Sequence, residues 1–169
     1  TTVLQSNEHT TWVSERLVKV PADIDVIAAH APMPRCDVAA VNAISTSTGE
    51  RAMIRGTMVC FDLYGQPGCW QDASVLFGIE NLILATYDDP EWVHAFLRVL
   101  LARKLSFVDS LRGAQFDVIE LGGGDASATV ISRPSSSVRD VTSASAMPQG
   151  TIRPNHARSG LQLIAKPCI

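Results

Sequence analysis

Apolar positions between Asp88 and Gly113 recur at steps of three and four: Val93, Phe96, Leu97, Leu100, Leu101, Leu105 and Val108. That period predicts one long amphipathic helix. Asp88 or Asp89 is its N-cap, Pro90 its first residue, Glu91 its early acid and Gly113 its stop. Two residues later the period changes. In "FDVIELGGGDASATVIS", Phe116, Val118, Ile119 and Leu121 form a short apolar run that breaks into Gly122, Gly123, Gly124 and Asp125. This predicts a buried strand whose C-terminal end opens into a tight loop. Upstream, "VPADIDVIAAH" and "RCDVAAVNAISTSTGE" predict short helices, the second closing near Gly49. "AMIRGTMVCFDLYG" alternates less cleanly but is β-rich in its middle and runs into the turn signal "YGQPG". "CWQDASVLFGIENLILATY" reads as helix interrupted at Gly78. Strand, helices, long helix, strand is α/β order, and the short final connection suits parallel strands.

Composition divides the chain. All ten aromatic residues precede position 133, after which Ser, Pro, Arg and Ala dominate and no period persists. Residues 1–132 are therefore expected to fold, and 133–169 to form a low-complexity, irregular tail. Charge divides at the same place. The first part holds nine Lys and Arg against sixteen Asp and Glu, the tail five against one. An acidic main part and scattered basic residues without interleaved aromatics exclude a nucleic-acid surface. No apolar run reaches the roughly 18 residues that span a bilayer. The N-terminal text lacks the layout of a signal peptide, so a cytoplasmic protein without a membrane partner is expected. Cys36, Cys60, Cys69 and Cys168 form no CxxC pair and are expected as reduced structural thiols.

The stretch "GIENLILATYDDPEWVHAFLRVLLARKLSFVDS", followed by a strand and "LGGGDASATVIS", resembles the uroporphyrinogen decarboxylase superfamily. Gly78, Glu80, Asn81, Leu82, Tyr87, Asp88, Asp89 and Pro90 follow the order of the family's Gly-x-Glu-x-Leu stretch and Tyr-Asp-Asp/Glu-Pro helix start. "YGQPGCWQD" stands where relatives carry a Gly-Pro-Trp/Phe-Thr turn after a strand. The likeness runs from about Val20 to Ser132. It implies an α/β fold: an incomplete (β/α)8 barrel fragment of parallel strands and amphipathic helices, with the site on loops at the strands' C-terminal ends. Asp62, Gln66, Trp70, Gly122, Gly123, Gly124 and Asp125 are then the candidate substrate-binding residues. Glycines allow a ligand close to the backbone, and Asp125 offers a carboxylate to a pyrrole N–H, a cation or water. A plain turn with Asp125 capping the next helix, and Trp70 in the core, are the other readings of the same residues.

The resemblance implies two chemistries. One is the cofactor-free carboxy-lyase reaction on a tetrapyrrole in porphyrin biosynthesis. The other is methyl transfer between a corrinoid protein and a thiol activated on zinc, for which relatives use a His-x-Cys motif that does not occur here. No metal ligand set and no cofactor is assigned to this chain, and its catalytic residues stay open. His94 beside the apolar stripe is read as structural, and His9, His30 and His156 have no evident partner. There is neither a GxxxxGK[ST] nor a nucleophile elbow.

A barrel takes about 250 residues, about 200 at the least, whereas the likeness stops at Ser132. Read one base out of register, one choice of codons for Pro134 to Val138 gives Val-Ile-Phe-Arg, close to the family text. The tail is therefore expected to be a frame-shifted continuation, and the chain a truncated, inactive piece of its parent. An incomplete barrel has open sheet edges, through which self-association is expected. A small non-enzymatic α/β interaction protein is the alternative from another class.

Overall fold

The structure, a computed structural model, describes residues 3–8, 11–58 and 68–120, together with the backbone of 162–164. The architecture is mixed α/β. Two strands, β1 (Val3–Ser6) and β2 (Thr11–Glu15), pair as an antiparallel hairpin. Helices α1 (Asp23–His30) and α2 (Val38–Thr48) lead to β3 (Met53–Thr57). Three helices follow, α3 (Cys69–Phe77), α4 (Ile79–Asp88) and α5 (Pro90–Ser110), before β4 (Val118–Glu120). A last strand, β5 (Gln162–Ile164), completes a sheet of order β4-β3-β5, in which β3 is parallel to both neighbours.

Most of the expected elements form, for the reasons their residues suggest. In α2 the Asp37 carboxylate accepts from the Ala40 N–H at 2.9 Å, and Gly49 closes the helix at a φ of 55°. Gly78, at a φ of 100°, breaks the following helical stretch into α3 and α4. Only a residue without Cβ takes that conformation readily. Asp89 is the N-cap of α5, its carboxylate accepting from the Trp92 N–H at 3.0 Å with Pro90 next in line. The helix ends at Ser110, three residues before Gly113, whose positive φ lies in the following turn. The strand expected from Phe116 begins at Val118.

The core sits among the helices. Val18, Ile24 and Ile27 pack with Trp70, Ala73 and Leu76 of α3, Leu82 of α4, and Val93, Phe96, Leu97 and Leu100 of α5. The stripe of α5 departs from the expected one at its C-terminal half. Leu105 is half exposed, while Arg103, Lys104 and Phe107 are buried. At 3.6 residues per turn, positions 93, 96, 97, 100, 103, 104 and 107 share one face, so the helix kept its period and carried two cations inward.

Strand β3 alternates more cleanly than its letters suggest. Ala52, Ile54, Gly56 and Met58 are buried, whereas Met53, Arg55 and Thr57 point the other way and stay partly open. Gly56 makes room there for Phe116: a Cβ would lie 2.9 Å from two of its ring atoms, so the ring would have to shift. Asp117 fixes the β3–β4 register by accepting from the Ile54 N–H through its carboxylate at 2.8 Å, while its own N–H donates to the Ile54 carbonyl at 3.0 Å. Asn42 of α2 clamps the same connection, donating to Gly113 O and accepting from the Gln115 N–H.

Candidate functional site

In parallel α/β sheets, ligands meet the C-terminal ends of the strands. Here those ends lie side by side. Arg55, Gly56 and Thr57 are in register with Val118, Ile119 and Glu120, and the Met58 N–H continues the ladder to Glu120 O at 3.3 Å. Of the residues the sequence singled out, Asp62 and Gln66 follow β3, and Gly122, Gly123, Gly124 and Asp125 follow β4. All six lie outside the described residues.

Trp70 is described, and it is 1% exposed within the helical core. Its Nε1–H is buried and meets no acceptor among the described residues. Beside it in the first turn of α3 stands Asp72, whose Oδ2 lies 2.7 Å from Nζ of Lys104 on α5. Both groups are buried, Lys104 to 1% exposure. The approach is off the line that a hydrogen bond needs, so the contact is held by charge. Next along α5, Arg103 donates to the carbonyls of Ala31 at 3.1 Å and Pro32 at 2.7 Å. Two cations thus tie the long helix to α3 and to the chain after α1. Hydropathy does not reveal them, because a charged letter reads as surface; their position in the helical period was the available signal.

Cys36 and Cys69 are free thiols. Burial pushes the Cys69 thiol up to about 11, with Asp72 reinforcing and Lys104 opposing the shift. Burial and then Asp37 raise Cys36 as well. A thiol held neutral at physiological pH is a poor nucleophile and a poor metal ligand, so Cys69 is a packing residue. The unfolded thiol ionises near 9.0 and the folded one at about 11. The folded state therefore holds this proton more tightly, an advantage that is complete below pH 9.0 and fades as pH rises through 11. It corresponds to about 2–3 kcal/mol. Urea unfolding from pH 8 to 11 is expected to show a shallower loss of stability for Cys69→Ala than for the unchanged chain.

The strand ends carry a second charged pair. Nη2 of Arg55 lies 3.1 Å from Oε2 of Glu120, on the sheet face away from the buried positions, with Thr57 beside it. Both side chains are about one third exposed. An open cleft of about 290 Å³ lies elsewhere, lined by Pro21, Phe77, Leu84, Ala85, Asp88 and Trp92. Trp92 is held there by an Nε1–H bond to Pro21 O at 3.0 Å and by edge contact with Phe77. Among the described residues, no three His, Cys, Asp or Glu side chains gather as a metal site, and no helix is long and apolar enough to cross a membrane.

No protein-family model, curated protein or solved structure matches the chain.

Proposed function

We propose that residues 1–132 are an incomplete (β/α)8 barrel of the uroporphyrinogen decarboxylase type, and that the chain binds a tetrapyrrole at its strand ends. The parent activity in this reading is the carboxy-lyase step on that macrocycle. The observation that carries it is the crossover from β3 through α3, α4 and α5 to a parallel β4. That connection brings the C-terminal ends of β3 and β4 side by side, and the two stretches on which the family resemblance places its rim, "YGQPGCWQD" and "LGGGDAS", follow those ends along the sequence. Asp62, Gln66, Gly122, Gly123, Gly124 and Asp125 are the proposed rim residues, while Trp70 lies in the helical core at the start of α3.

The reading assigns binding rather than turnover to this chain. A complete site of this type draws on the loops of eight strands, and the resembling stretch accounts for about two to three of the β/α units. Decarboxylation of this kind needs no cofactor, and none is assigned. Uroporphyrin, the oxidised macrocycle, is the probe. Titrated into the full chain, it is expected to show saturable quenching of its fluorescence, abolished by unfolding the protein in urea. Quenching that stays linear in protein concentration, or that survives urea, overturns the reading.

A further inference from the structure

We infer that Arg55 is a carboxylate-binding residue of this site, and that Glu120 occupies its guanidinium until a ligand carboxylate takes its place. The inference rests on the tetrapyrrole reading for the identity of the ligand, but its geometry is independent of it.

Three observations converge. The first is position. Arg55 and Glu120 lie on neighbouring parallel strands, Arg55 opposite Val118 and Glu120 opposite Thr57. They therefore share the face turned away from Ile54, Gly56 and Met58. The described side chains of that face are partly open: Met53 is 49% and Val118 46% exposed. A parallel sheet is ordinarily covered on both sides, so a face whose described residues are partly open and furnished with charge is fit for a ligand.

The second observation is unused capacity. A guanidinium has five N–H donors in a planar fork. Glu120 engages Arg55 through Nη2, while Nε–H is buried and meets no acceptor among the described residues. The side chain is thus under-satisfied as it stands, and a rearrangement that brings two oxygens to the fork improves it.

The third is the weakness of the resting pair. At one third exposure on each side, water and salt screen it, and pairs of this kind contribute little. Displacing Glu120 into solvent therefore costs little, whereas a multiply carboxylated ligand held at other points presents its own carboxylate at high local concentration. Glu120 is then a competitor for Arg55, so the two residues have opposite effects on affinity.

That opposition is the test. Uroporphyrin is titrated into the full chain and into Arg55→Ala, Arg55→Lys and Glu120→Gln, at low and at physiological salt. Arg55→Ala is expected to weaken binding about tenfold or more, Arg55→Lys to recover part of it, and Glu120→Gln to tighten it. The octamethyl ester of the same porphyrin, which lacks carboxylates, is expected to bind all four chains alike. The Glu120→Gln gain keeps the test decisive if Arg55→Ala fails to fold, because a merely structural ion pair predicts a loss from either side. Wild-type affinity in both Arg55→Ala and Glu120→Gln overturns the inference while leaving the tetrapyrrole reading intact. Absence of saturable binding to the unchanged chain overturns both.

Discussion

Lys104→Met is expected to lower the stability of the chain by about 3–5 kcal/mol, because it leaves the Asp72 carboxylate charged and buried without its cation. The counterpart, Asp72→Asn, strands the ammonium instead. Lys104 is 1% exposed, so water cannot supply the missing solvation without opening α5 from α3. The pair itself stabilises far less than either single loss suggests, since both ions were desolvated to form it. The double variant Lys104→Met with Asp72→Asn removes both charges at nearly constant volume and is expected to recover most of the loss. Urea midpoints of the four chains, at equal m-values, measure the cycle. Single variants within about 1 kcal/mol of the unchanged chain would place the pair in water and refute the buried arrangement.

That pair also marks the boundary of what the sequence made legible. The helices announced themselves: Asp89 and Pro90 at one start, Asp37 before another and Gly78 at a break are local signals, and each forms as local chemistry requires. Parallel pairing of β3 with β4 was readable from the order of elements and the short connection before Phe116. Lys104 and Arg103 were not, because their partners are distant in the chain: Asp72 for one, the carbonyls of Ala31 and Pro32 for the other. Long-range partners override the rule that charge lies outside. Strand β3 was blurred for a different reason. Gly56 contributes no hydropathy, yet occupies a buried position against Phe116, and Met53 is apolar but half exposed. The β1–β2 hairpin was not anticipated, although "SNEH" between two Thr- and Val-bearing stretches is a turn signal. The site expectations divide by place: Trp70 is positioned, the six loop residues lie outside the described segments, and Arg55 with Glu120 emerged only from strand register.

Trp70 permits the sharpest separation of packing from function. Trp70→Ala is expected to cost about 3–5 kcal/mol, the range for emptying a large aromatic site in a core that relaxes only in part. Ala73, Leu76, Leu97 and Leu100 of the same core cluster are all fully buried and have little freedom to close the gap. Trp70→Phe is a different experiment. It keeps most of the ring volume and deletes the buried Nε1–H, which meets no acceptor among the described residues. An orphan donor costs about 1–3 kcal/mol, so its removal offsets the smaller ring, and the net change is expected to stay within about 1.5 kcal/mol. The Phe variant therefore folds, and its affinity for uroporphyrin becomes interpretable. Unchanged affinity assigns Trp70 to the helical core alone. A tenfold loss at unchanged stability, about 1.4 kcal/mol of binding, assigns the indole N–H to the ligand, because only a bound acceptor makes that donor worth keeping in an apolar wall.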